Sequence, residues 1–404
     1  MRRIVITGMG GICTLGHNAS DIWQAMTEGR SGIGPIRHFD TSSLRSDPIA
    51  AEVTDFEPRA YIDEARLPFL DPLSQYALVA ANEAIRQSGL NFRNERATRT
   101  AVLVGVGVGG EETREGLYQK LYGEHAGRFH PLGIVRIMTN APASQISMAH
   151  GITGPTFAIA SACASSNHAF AQAALMIRAG LVDAAVVGGA EACITLGLMR
   201  AWEAMRVLAP DTCRPFSANR RGLVLGEGSA MFVLETLESA QARGATILAE
   251  LAGVGMSADA GDIAAPSDVG AASAMNAALQ DAGMQPSDID YINAHGTGTV
   301  ANDSTETRAI HKVFGERAPQ LAISSTKPMH GHALGAAGAL ELIAVIGALR
   351  HGIVPATLNY LGPDPACDLD YVPHEARHMS VRAALNNSFA FGGLNAVVAV
   401  RKAP

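Results

Sequence analysis

Short continuous runs of apolar and β-branched residues alternate along the chain with longer stretches whose apolar positions recur at helical spacing. The short runs predict strands at residues 3–7, 100–105, 156–160, 184–188 and 230–234, and a second series at 247–255, 290–294, 322–325, 383–387 and 396–401. Helices are predicted between them, over 73–88, 164–179, 237–243, 270–282 and 333–349. The strands show little polar alternation, as expected of sheets covered on both faces. Strands separated by helices give the α/β class. The two series suggest two similar halves meeting near residues 245–255. No sequence repeat marks a duplication and no low-complexity linker intervenes.

Composition narrows the picture. The chain has 404 residues, more than one ordinary core organises, which agrees with two packed halves. It is 48% hydrophobic and 17% charged, the opposite of a disordered balance. No continuous apolar run reaches the roughly 18 residues of a membrane span, so no membrane role is expected. The net charge is −7 without a run of Lys or Arg, which argues against nucleic acid. Residues 1–11 read as a strand entering a glycine turn rather than as a signal peptide. Five scattered cysteines without Cys-x-x-Cys spacing fit neither a disulfide framework nor a zinc site, and a cytoplasmic location with reduced thiols is expected.

Four segments carry candidate chemistry. In Thr156-Phe157-Ala158-Ile159-Ala160-Ser161-Ala162-Cys163-Ala164-Ser165, a buried strand runs through a small-residue turn into a helix. Cys163 is thereby expected at a helix N-terminus, where free N–H groups and the macrodipole favour a thiolate. A buried structural cysteine is the alternative. In Asn293-Ala294-His295-Gly296-Thr297-Gly298-Thr299, a strand delivers His295 into a turn that a ligand can approach closely. Lys327-Pro328-Met329-His330-Gly331-His332 leads into a Gly/Ala-faced helix, which places Lys327 and His332 deep in the molecule. Finally, Ser388-Phe389-Ala390-Phe391-Gly392-Gly393 reads as a loop able to swing, with N–H groups available to an oxyanion.

Together these segments resemble the β-ketoacyl-acyl carrier protein synthases, in the elongating Cys-His-His class and with a synthase II-like pattern. The resemblance spans nearly the whole chain and includes Arg214-Pro215-Phe216 and Gly222-Leu223-Val224-Leu225-Gly226-Glu227-Gly228. Ala201-Trp202-Glu203-Ala204-Met205-Arg206 and Leu208-Ala209-Pro210-Asp211-Thr212-Cys213 are similar to nodulation-type ketosynthases.

The resemblance implies a thiolase-like fold, layered αβαβα, with pseudo-symmetric halves at 1–250 and 251–404 and a homodimer. It implies decarboxylative condensation of an acyl thioester on Cys163 with malonyl-acyl carrier protein, releasing CO2 and a 3-oxoacyl product. The N–H groups of Cys163 and Phe391 would hold the thioester oxygen, and His295 and His332 the enolate. Lys327 would orient the histidines, with Glu306 as its counter-ion. Val108 matches a position flooring the acyl pocket. Thr297 and Thr299 match positions that bind phosphopantetheine, and Phe389 is expected beside the substrate. Arg206 matches a residue that meets the carrier protein, with Arg66 and Arg128 as further candidates. No cofactor is required, since phosphopantetheine arrives on the carrier. Asn293, Glu341 and Asn387 match a monovalent-cation site, a structural hydrogen-bond cluster being the other reading.

The chain departs from the family pattern at Ala264-Ala265-Pro266, where hydroxyl residues are usual, at Leu394, usually Thr, and at Ala390, usually Gly. Ala390 is expected to stiffen the loop. A thiolase would need a second catalytic cysteine, but Cys367 sits in a Pro-Asp-rich loop. A non-catalytic chain-length partner would have lost the nucleophile that is present here. A cysteine hydrolase is the remaining enzyme alternative.

Overall fold

The computed structural model describes residues 2–44 and 48–403. Two series of five strands make up its main sheet. The first is β1 (Ile4–Cys13), β2 (Thr100–Gly105), β3 (Thr156–Ile159), β4 (Ala184–Glu191) and β5 (Gly228–Thr236). The second is β6 (Ala249–Ala258), β7 (Tyr291–Asn293), β8 (Ala322–Ser324), β9 (Ala383–Ala390) and β10 (Leu394–Arg401). Across the sheet the order is β8-β7-β9-β10-β6-β1-β5-β4-β2-β3.

Numbered within its own series, each half has its first strand beside its fifth, then the fourth, second and third. Directions repeat as well. β2 is parallel to β3 and β4, as β7 is to β8 and β9. The fourth and fifth strands are antiparallel in both halves, as are the first and fifth. The halves join where β1 and β6 run antiparallel, with Ile4 opposite Leu251 and Ile6 opposite Ala249. This is the pseudo-symmetry expected of a thiolase-like fold, present without a sequence repeat.

The main helices are α1 (Pro72–Ser88), α2 (Ala141–His150), α3 (Ser165–Arg178), α4 (Leu196–Met205), α5 (Asp268–Ala282), α6 (Val300–Phe314) and α7 (Ala337–His351). α1 and α2 cover the outside of the first half, and α5 with α6 the outside of the second. α3 and α7 touch each other and strands of both halves, so they form the middle of an αβαβα stack. Residues 337–349 of α7 are all buried. The window Leu334–His351 is apolar enough to cross a membrane, but 89% of it is buried inside this fold.

Glycines bring the outer helices close. A Cβ on Gly8 or Gly10 of β1 would lie 2.0 or 2.1 Å from the carbonyl oxygens of Ala84 and Ala80 in α1. The second half repeats the device, with Gly253 and Gly255 of β6 against Ala278 and Ala274 of α5. This explains a difference from the sequence reading. β1 continues to Cys13 instead of ending at residue 7, because its glycines serve helix packing rather than a turn. Ser388, Phe389 and Ala390 likewise belong to β9, so the expected loop is a tight hairpin tip. α7 begins at Ala337, four residues late, because residues 334–336 form a 3-10 turn.

Candidate active site

The nucleophile turn follows β3. Ala162 takes a left-handed φ of 49°, and α3 begins at Ser165, two residues past Cys163. The Ser165 hydroxyl locks this turn: it accepts the Ser161 N–H at 2.8 Å and donates to the Ala162 carbonyl at 2.7 Å. The side chain of Cys163 is 5% exposed.

His332 arrives from the second half. Its N–H donates to the Val224 carbonyl at 2.7 Å, and its carbonyl accepts the Gly226 N–H at 3.0 Å. Gly331 must be glycine here, since it has φ 69° and a Cβ would lie 2.7 Å from the Leu225 oxygen. The His332 Nε2 is then 3.1 Å from the Cys163 Sγ. His295 follows β7, and its ring stands at 82° to that of His332 with centroids 5.3 Å apart. The donor atoms of Cys163, His295 and His332 all lie within 4.8 Å of one another.

Lys327 is fully buried, with Nζ 3.5 Å from the His295 Nδ1 and bonded to the His295 carbonyl. Its counter-ion is Glu341 of α7, not Glu306. Glu306 instead accepts the N–H groups of His295 and Gly296 at 2.9 and 2.8 Å, together with the Asn387 amide at 3.1 Å. It shapes the histidine loop. The buried ammonium is served by the carboxylate that rises beneath it from the central helix.

Burial dominates the electrostatics. It holds both imidazoles well below the ordinary histidine value, with Lys327 adding to the effect, so His295 and His332 are neutral. Burial also pushes the Cys163 thiol up to about 12, against the opposing pull of Lys327 and of the N–H groups of Cys163 and Phe391. The expectation of a resting thiolate is therefore corrected, because desolvation outweighs the helix terminus. Burial likewise raises Glu341 to about 7, opposed by Lys327.

A cavity of about 200 Å³ opens onto these groups, lined by Thr297, Thr299, Ala264, Phe389 and Phe391 among others. The Thr299 hydroxyl already caps α6 through the Asn302 N–H and bonds to Thr297, a role the motif did not reveal. Val108 is outside this cavity. It packs instead in the apolar cluster that contains Cys163, Met199, Trp202 and Leu334. Arg206 is exposed at the end of α4, between Met205 and Val207, which both line the cavity. Arg66 and Arg128 do not line it.

The hairpin tip is pinned rather than loose. The Gly392 N–H donates to the Ile263 carbonyl at 2.8 Å, and the Asp259 N–H to that of Gly393 at 2.9 Å. Ala390 pairs with Leu394 at the end of the strands, so it does not stiffen a loop. Asn293, Glu341 and Asn387 each keep one buried oxygen without a partner (Oδ1, Oε2 and Oδ1), a donor set suited to a hard cation.

Comparison with known proteins agrees with this geometry. Family models described as β-ketoacyl synthase N-terminal and C-terminal domains match residues 1–240 and 248–361. Nodulation protein E of Rhizobium sp. (strain N33) is 51% identical over 99% of both chains. The 3-oxoacyl-[acyl-carrier-protein] synthase 2 of Coxiella burnetii is 41% identical, again over 99% of both. The solved ishigamide ketosynthase/chain length factor superposes with a TM-score of 0.94 at 38% identity over the full length of both. A buried thiol, two neutral imidazoles, a buried lysine and this pattern of relatives lead to one assignment: the chain belongs to the β-ketoacyl synthase family and is a condensing enzyme of its Cys-His-His class.

Proposed function

We propose that the protein joins an acyl group held on Cys163 to malonyl-acyl carrier protein in fatty-acid or related lipid or polyketide synthesis. The observation that carries this is the 3.1 Å contact between the Cys163 Sγ and a neutral His332. In acylation, the Cys163 sulfur attacks the incoming thioester, its proton passes toward His332, and the carrier leaves as a thiol. The N–H groups of Cys163 and Phe391 stabilise the oxyanion.

The malonyl thioester then loses CO2, and the released electron pair forms an enolate. Each neutral imidazole donates one N–H to the enolate oxygen without protonating the carbanion carbon. The enolate carbon attacks the Cys163 thioester, a C–C bond forms, and the C–S bond breaks to release the sulfur as a thiolate, which takes one proton from water to restore the thiol. Thr297, Thr299 and Phe389 flank the incoming arm, and Val108 floors the acyl pocket. Arg206 meets the acidic carrier at the rim. The residues Asn293, Glu341 and Asn387 would hold a monovalent cation below the Lys327 pair. A homodimer is supported by the unpaired edge of β3, by exposed Phe157 on that strand and by exposed Met148 on α2, which packs against it.

The two half-reactions separate by mutation. Cys163→Gln is expected to abolish condensation yet keep CO2 release from malonyl-carrier protein, because the amide occupies the oxyanion hole. His295→Ala and His332→Ala should each slow CO2 release by about 10²–10³. Full condensation by Cys163→Gln, or normal decarboxylation by both histidine variants, would overturn the mechanism. Free fatty acid in place of CO2 would indicate a hydrolase.

A further inference from the structure

Glu191 ends β4 with no exposed surface, and its carboxylate has no cationic partner among the described residues. It is held by backbone. The N–H groups of Gly107 and Val108 donate to it at 2.7 and 3.3 Å from the first half, and that of Gly335 at 2.9 Å from the second. The two loops also touch directly, for a Cβ on Gly335 would lie 2.3 Å from the Gly107 nitrogen. One loop carries Val108. The other begins two residues past His332 with Leu334, a positive-φ residue packed in the same apolar cluster as Cys163 and Val108.

We propose that Glu191 is a positioning residue that clamps the Val108 loop to the His332 loop, so that the floor of the acyl pocket and the catalytic histidine keep one relative position. This rests on the reading of Val108 as that floor. Room for a long chain requires Val108 to give way, and the clamp sets how far it does so. The ratio of long-chain to short-chain acylation is the quantity Glu191 controls. Burial also places this carboxylate near neutrality, at about 7. The ionisable side chains that sense it are the thiols of Cys163 and Cys193, both pushed far above that range.

The test is mass spectrometry of Cys163 after exposure to acyl-carrier proteins of graded length, comparing Glu191→Gln and Val108→Phe with the parent. In Glu191→Gln an amide donor faces backbone donors and one acceptor is lost. The long-to-short ratio should change by about tenfold. Malonyl decarboxylation should change little, because the bonds to Val224 and Gly226 still hold His332 while the Val108 loop is freed. In the parent enzyme the same ratio should drift between about pH 6 and pH 8, because protonation removes an acceptor. A ratio insensitive to pH would overturn the clamp even if the variant failed to fold. If Val108→Phe excluded long chains but Glu191→Gln kept the parental ratio, the clamp would be wrong and the pocket right. If Val108→Phe left the profile unchanged, the pocket reading itself would fall and the clamp with it. Equal losses for every chain length and for decarboxylation would reduce Glu191 to a structural residue.

Discussion

At the scale of single residues, the reactive set was legible because each member sits in a distinctive local segment. A strand-turn-helix marks Cys163, a Gly-Thr turn marks His295, and a Lys-x4-His spacing precedes the central helix. Pairings across the fold were not legible. Glu306 and Glu341 are both buried near the site, and only the path of α7 decides that Glu341 meets Lys327 while Glu306 binds backbone. Glu191 gave no signal, since its partners are main-chain N–H groups with no side-chain signature. The Lys327–Glu341 pair has a testable cost. Glu341→Ala strands a buried ammonium and should destabilise the protein by about 3–5 kcal/mol in urea unfolding. The inactive double variant Lys327→Met with Glu341→Leu should regain most of that loss. A double variant no more stable than Glu341→Ala would show that the cost lies in packing.

At the scale of elements, most strands and helices emerged from apolar runs, and the disagreements share a cause. Glycine was taken as a breaker in β1, whereas there it permits α1 to approach. No local pattern distinguishes these uses, because the helix concerned lies about sixty residues further along. Gly255→Ala puts a Cβ 2.0 Å from the Ala274 oxygen, so α5 must lift from β6. The expected loss is about 1–3 kcal/mol in denaturant unfolding. Gly116 provides the control: it lies within a helix and a Cβ there meets nothing within 4 Å. Gly116→Ala should stabilise by about 0.5–1 kcal/mol. Similar effects from both changes would refute the packing explanation.

At the scale of the whole molecule, the burial of so many ionisable side chains has a consequence for pH. Burial raises Glu191 and Glu341 to about 7 and Glu227 to about 8, while it depresses His295, His330 and His332. Below about pH 6.5 the unfolded chain gains protons on histidines that the fold keeps neutral, which opposes the effect of the raised glutamates. Above that pH the histidines are neutral in both states. The glutamates still hold protons in the fold that the unfolded chain has released. Stability should therefore fall between about pH 6.5 and pH 8, by up to about 1.4 kcal/mol per pH unit for each such group. Urea midpoints at the two ends of this range measure it, and a midpoint that rose with pH would contradict the assignment.

The repeated strand order adds a consequence of another kind. Cys163 lies in the turn after the third strand of one half, and His332 in the passage after the third strand of the other. The same address is used twice, once for a nucleophile and once for its proton partner. A chain severed between β5 and β6 would leave Cys163 without His295 and His332 in one fragment, and those two imidazoles without the catalytic thiol in the other. Neither piece is half an enzyme, because the chemistry exists only across the seam.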